Sequence, residues 1–176
     1  MSPIDYFFLA FSRWNDFKGR SSRPEYWHFF WISLVVSMIL GLIDSGLTVI
    51  SPSIAQLGNL YSVVVILPNL ALTFRRLHDI GKSPRFLLVY VVVSTLPFLV
   101  LLYLAGWNAQ ALFEDPNGPY FTYVIGWLGL VGLFSAYFVY LLAQKGDMGE
   151  NAYGPAPHSL LPQKAEQEGE IPFHRE

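Results

Sequence analysis

The sequence predicts an all-α membrane protein: four transmembrane helices preceded by an N-terminal interfacial amphipathic helix. Three observations carry this. Of 176 residues, 53% are hydrophobic and 14% charged, with a mean hydropathy of +0.38. A soluble domain has roughly 25% charged residues, so too few polar side chains remain to cover a water-facing surface. The apolar residues also fall into four runs of about 20, the length a helix needs to cross about 30 Å of hydrocarbon. Finally, all 11 Lys and Arg residues lie on one predicted side. The same numbers exclude a disordered chain and a nucleic-acid binder driven by charge, the formal net charge being -2. Cysteine is absent, which removes disulfide, thiol and Cys-ligated metal chemistry.

The first element, about residues 2–17, reads as a helix on the membrane surface. Ser2 caps it, Pro3 suits its first position, and Asp5 meets the free N–H groups of the first turn. Ile4, Phe7, Phe8, Phe11 and Trp14 share one face, suited both to the lipid interface and to packing on the bundle's own end. No basic segment precedes this aromatic run and no small-x-small site follows, so it does not read as a cleavable leader.

The spans follow at about residues 26–47, 54–74, 86–107 and 120–142. Val63–Leu67 and Val89–Val93 would also suit buried strands, but the runs continue three to four times further than a strand of about five or six residues. Arg13, Lys18, Arg20 and Arg23 precede the first span; Arg75, Arg76, Lys82 and Arg85 separate the second from the third; Lys145, Lys164 and Arg175 follow the fourth. The connections at 48–53 and 108–119 have no base and carry Glu114 and Asp115. Basic loops stay on the cytoplasmic side, so the expectation is a bacterial inner-membrane protein with both termini cytoplasmic. Residues 1–145 form the membrane domain and 146–176 a flexible cytoplasmic tail, Gly/Pro-rich and then charged.

Two polar segments stand out. In Gly19-Arg20-Ser21-Ser22-Arg23-Pro24-Glu25-Tyr26-Trp27, Ser22 and Glu25 have capping-box spacing and the aromatic residues suit the headgroup belt. Arg20 and Arg23 then serve either as topogenic anchors or as a forked site for an anionic group at a helix start. In Arg75-Arg76-Leu77-His78-Asp79-Ile80-Gly81-Lys82-Ser83-Pro84, Gly81 suits a helix C-cap and Ser83 with Pro84 the start of the next helix. Asp79 sits where the helix dipole disfavours a carboxylate, so it needs a partner, and Arg75 and Arg76 stand four and three residues before it. The candidate binding site is the cytoplasmic-face cluster Arg20, Arg23, Glu25, Arg75, Arg76, His78 and Asp79, provided the two segments meet. His78 and Asp79 diverge by about 100° on a helix and cannot share a metal ion without a third ligand; Glu25, His28 and His158 have no informative spacing. No metal, cofactor or catalytic residue is expected, and no nucleophile elbow, Walker loop, HExxH or dinucleotide fingerprint occurs. Asp44, the one acid inside a span, reads as a solvated helix end; Pro68 and Pro97 read as packing kinks. Gly126, Gly129, Gly132 and Ala136 thin one side of the fourth span for close helix approach.

Residues 17–27, 75–83 and 149–157 together resemble the small bacterial inner-membrane proteins of the domain of unknown function 805 family. Where members of that family usually have Ser-Gly-Trp after the Arg-Leu-His-Asp segment, this chain has Ser83-Pro84-Arg85. The resemblance implies a four-span cytoplasmic-membrane protein and brings no activity, substrate or catalytic residue with it. The leading expectation is a non-enzymatic component whose basic face binds anionic lipid headgroups or an acidic partner. The alternatives are a small oligomeric transporter or channel using the thin face of the fourth span, and a headgroup-modifying enzyme acting through His78 and Asp79. Its partners are the lipid bilayer, anionic lipids in particular, and a second copy of the chain; nucleic acid is not among them.

Overall fold

The computed structural model describes residues 1–49, 56–106, 108, 110–112, 115 and 118–157. The expected fold class holds: the elements are α1 (Pro3–Ser12), α2 (Arg23–Thr48), α3 (Leu57–Asp79), α4 (Arg85–Leu104), a 3-10 turn (Gln110–Leu112) and α5 (Pro119–Ala143). Helices α2 to α5 are long and apolar enough to cross a membrane. Many of their large side chains point outward, Leu42 at 74% exposure and Leu133 at 73% among them. On a water-facing protein such a surface would drive association; against lipid it is the ordinary exterior of a helix whose backbone groups are bonded internally.

The chain divides into two compact units, Met1–Lys82 with the segment from Gln144 onward, and Ser83–Ala143. In the first, α1 packs on α2 and α2 on α3. The N-terminus of α1 carries the expected capping box, Ser2 and Asp5 bonding each other's backbone N–H. Its aromatic face is split. Phe7 and Phe11 pack on Phe29 and Tyr6 stacks on His28, while Ile4 and Phe8 stay exposed, as does Trp14 beyond the helix end. Part of the stripe therefore packs on α2, and the rest faces outward.

Asp44, half-buried near the end of α2, does more than face solvent. Its carboxylate accepts the backbone N–H groups of Leu57 (3.0 Å) and Gly58 (2.8 Å), so α2 caps the start of α3. Two orphan donors of α3 are satisfied by a neighbouring helix, because Gln56 at its N-cap makes no side-chain bond.

In the second unit α4 packs on α5. Tyr90 stacks on Phe138 and bonds Ser135, Phe98 stacks on Trp127, and Leu101, Leu112 and Val124 form a small core. On α5, a Cβ at Gly126, Gly129 or Gly132 would have no other atom of the described residues within 4 Å beyond its own helix neighbours.

Candidate functional site

The last turn of α3 carries Arg75, Arg76, Leu77, His78 and Asp79, all buried. Here the helix runs beyond the span predicted to end near residue 74, since its charged side chains find partners within the same unit. Its end is a Schellman motif: Lys82 N–H bonds Leu77 O (2.9 Å) and Gly81 N–H bonds His78 O (3.0 Å), with Gly81 at φ +67° as the expected cap requires.

Arg75 is fully buried and reaches back to the N-terminal segment. Its Nε donates to Ser21 Oγ (2.9 Å), and its Nη1 to the carbonyls of Arg13 (2.9 Å) and Asp16 (2.6 Å). Its Nη2 lies 3.5 Å from Glu25 Oε1, which also accepts Ser21 Oγ–H at 2.9 Å. Two expectations change here. Ser22 Oγ caps α2 by accepting the Glu25 N–H (3.4 Å), but the Glu25 carboxylate goes to Ser21 and Arg75 instead of completing a capping box. Arg75 pairs with Glu25, 50 positions away, and not with Asp79, because its fork is drawn toward the segment before α2.

Asp79 is shared by two other guanidiniums. Arg20 approaches Oδ1 through Nε (3.0 Å) and Nη2 (2.9 Å), and Arg76 pairs with Oδ2 through Nη1. The remaining donors of both arginines turn to the segment after α5. Arg20 Nη1 donates to the carbonyls of Gly149 (2.6 Å) and Gly154 (3.2 Å), Arg20 Nη2 to that of Asp147, and Arg76 Nη2 to that of Gln144. The same segment is tied to α3 by Asp147 N–H on Asp79 O (2.8 Å) and by Asn151 Nδ2 on His78 O (3.0 Å). The Tyr153 ring stacks on His78 at 4.0 Å and 7°. His78 Nδ1 is 3.1 Å from the Gly19 carbonyl, a contact that requires the proton on Nδ1. A Cβ at Gly146 would run into the Asp79 carboxylate, so only glycine permits this approach.

The structure thus brings Arg20, Glu25, Arg75, Arg76, His78 and Asp79 together and leaves Arg23 exposed at the start of α2. Among the described residues the buried charges are three guanidiniums and two carboxylates. At the rim, Asp16 pairs with Arg13 (2.7 Å). Burial pushes its carboxyl up, but the Arg13 side chain, the Lys18 N–H and the charges of Arg13 and Arg75 hold it below the usual value. Sequence reasoning missed Ser21, Asn151, Tyr153 and the carbonyls after α5. The 149–157 motif was visible, but nothing in its spacing from Arg20 announced that the two meet. The first part of the expected tail, residues 146–157, lies on this cluster, whereas 158–176, His158 included, fall outside the described residues. Among the described residues no three His, Asp or Glu side chains group closely enough to hold a metal ion.

Four apolar helices of spanning length, with a buried ion-pair cluster at the end of α3, define a helical membrane protein. The segments that build the cluster also identify its kin. The chain belongs to the family of proteins of unknown function DUF805, which matches residues 14–155 and so takes in all four long helices and every residue of the cluster. It is 31% identical over 109 residues to the inner membrane protein YhaH of Escherichia coli K12, covering 61% of this chain and 87% of that one. It is 30% identical over 115 residues to the inner membrane protein YhaI of the same organism, covering 65% and 86%. No solved structure matches it.

Proposed function

We propose that this chain is a non-enzymatic component of the bacterial inner membrane, crossing it four times with both termini in the cytoplasm, and that its basic end holds anionic lipid headgroups. The location is supported by the inner-membrane relatives and by the clustering of all basic residues in alternate connections. An even number of crossings agrees with the bonds from Arg20 to Asp147 and Gly149, more than 120 positions away and beyond four apolar helices.

The observation that carries the headgroup reading is a division among the bases. Arg20, Arg75 and Arg76 are buried and bonded internally, a frame for their surroundings. Lys18, Arg23, Lys82 and Lys145, each within a few residues of that frame, are exposed. Exposed Met1, Ile4, Phe8 and Trp14 add apolar groups suited to insertion beside them. At about 1 kcal/mol per basic residue near an anionic surface, the four contribute about 4 kcal/mol, roughly a thousandfold preference. Salt screens such contacts beyond about 8 Å at physiological ionic strength.

The test is lipid retention. The protein is reconstituted in nanodiscs of phosphatidylcholine with graded phosphatidylglycerol, and co-isolating lipids are counted by native mass spectrometry. Phosphatidylglycerol is expected to be enriched, and the enrichment to disappear when Lys18, Arg23, Lys82 and Lys145 are all changed to Gln. No enrichment, or enrichment indifferent to the fourfold change, overturns the reading. Capture of an acidic protein through the same four residues without any lipid preference reassigns the face to a protein partner.

A further inference from the structure

The segment 144–154 lies across the end of α3 as a strap. It supplies carbonyl dipoles from Gln144, Asp147, Gly149 and Gly154 to the outward-turned donors of Arg20 and Arg76. We propose that the strap covers an anion-binding site built from Arg20 and Arg76, and that a phosphate group, free or carried by a lipid headgroup, takes the strap's place.

Three observations on the cluster lead there. The first is its charge. Arg20 and Arg76 share the Asp79 carboxylate, and the strap meets them with carbonyl oxygens. Both are at least nine-tenths buried, and a phosphate in the strap's place would bring full negative charge, and with it stronger charge-assisted bonds, where the strap brings only carbonyl dipoles. The second is shape. Arg20 presents its two Nη atoms to three converging carbonyl oxygens, an arrangement that copies an oxyanion, and guanidinium forks match phosphate geometry through paired hydrogen bonds.

The third is how the strap is fastened. Apart from the two arginines, it is held by Asn151 on His78 O, by Asp147 N–H on Asp79 O and by the Tyr153–His78 stack. Its middle, Asp147 to Glu150, is exposed, and Gly146, Gly149 and Gly154 give it joints, the last at φ +117°. Lifting it would uncover Arg20, Arg76 and His78 together and carry the Asp147 carboxylate away from the site. Asp79 would stay behind as the counter-charge that keeps the two guanidiniums apart. The strap is thereby an internal competitor of the anion. This inference extends the anionic reading of this end of the molecule to a second set of residues, and its test varies Lys18, Arg23, Lys82 and Lys145 separately, so that the two readings fail independently.

The full-length protein in phosphatidylcholine nanodiscs is titrated with inorganic phosphate by calorimetry. The titration is repeated for Asn151→Ala and Tyr153→Ala, alone and combined with Arg20→Gln. Loosening the strap is expected to raise phosphate affinity at least tenfold, and Arg20→Gln to remove the gain. On the unaltered chain, hydrogen exchange at the Asp147 and Gly154 amides is followed in parallel, so the outcome does not depend on any variant folding. Phosphate is expected to accelerate exchange of both. If the acceleration also arises in phosphatidylglycerol nanodiscs without free phosphate, the headgroup is the source; if only dissolved phosphate produces it, the ligand is soluble. Equal phosphate affinity with and without the strap substitutions, together with unchanged exchange under both anions, overturns the proposal. Survival of the phosphate effect in the fourfold Gln variant separates this site from the exposed lysines.

Discussion

Replacing Asp79 by Asn tests the cluster most directly. The side chain keeps its shape and one oxygen acceptor but loses the charge shared by two buried guanidiniums, and its new NH2 faces Arg20 or Arg76, neither of which can accept a hydrogen bond. Breaking a buried ion pair by removing one partner costs about 3–5 kcal/mol, because the other charge stays uncompensated. The two pairs lost here share one carboxylate, so their costs do not add, and the whole loss is expected to be about 3–5 kcal/mol. The assay is unfolding in mixed micelles titrated with sodium dodecyl sulfate, followed by tryptophan fluorescence. Glu150→Gln, at an exposed position of the strap, is the control and is expected to stay within about 0.5 kcal/mol. A loss below about 1 kcal/mol for Asp79→Asn would refute the assignment of Asp79 as the counter-charge of both arginines.

Two further outcomes follow from contacts outside the cluster. Asp44→Ala removes the acceptor for two N–H groups at the start of α3, and a loss of about 1 kcal/mol is expected, with faster hydrogen exchange at Leu57 and Gly58; unchanged exchange there would count against the cross-helix cap. The Asp16 carboxyl, held below its usual value of 3.8, favours the folded state fully above that pH, and this contribution is lost as pH falls through the lowered folded-state value. A carboxyl titration followed by NMR should place Asp16 below 3.8, and Asp16→Asn should flatten the acid limb of the stability curve.

The four spans were legible because length and hydropathy are local properties, and α2 to α5 fall close to the predicted runs. Local capping was equally legible at Ser2, Ser22 and Gly81, each of which acts on its own turn. Reading became unreliable where one side chain had a choice of partners. Helical spacing made both Arg75 and Arg76 reach Asp79, and it was right for Arg76, which pairs with it. Arg75 found Ser21 and Glu25, a preference set by the backbone bond from Ser21 N–H to Arg75 O (3.1 Å) that holds the two segments side by side. The partners of Asp44 were hidden for the same reason: they lie 13 and 14 residues on and depend on how α3 is brought alongside α2. The strap's place was hidden most deeply, because its bonds use backbone carbonyls that every residue possesses and that no side-chain pattern reveals.

The strap also orders events in time. A membrane chain is inserted from its N-terminus, yet Arg20 and Arg76 wait for carbonyls that follow α5, up to 134 positions later. Until the last helix is in place, the carbonyls of Gln144, Asp147, Gly149 and Gly154 have not yet come to these two arginines. The cluster is therefore completed only by a chain whose helices have all entered the bilayer in the right number, since an odd crossing would leave residues 144–154 on the wrong face. A chain that has made an odd number of crossings lacks the bonds from Arg20 and Arg76 to this segment, and its cluster stays incomplete.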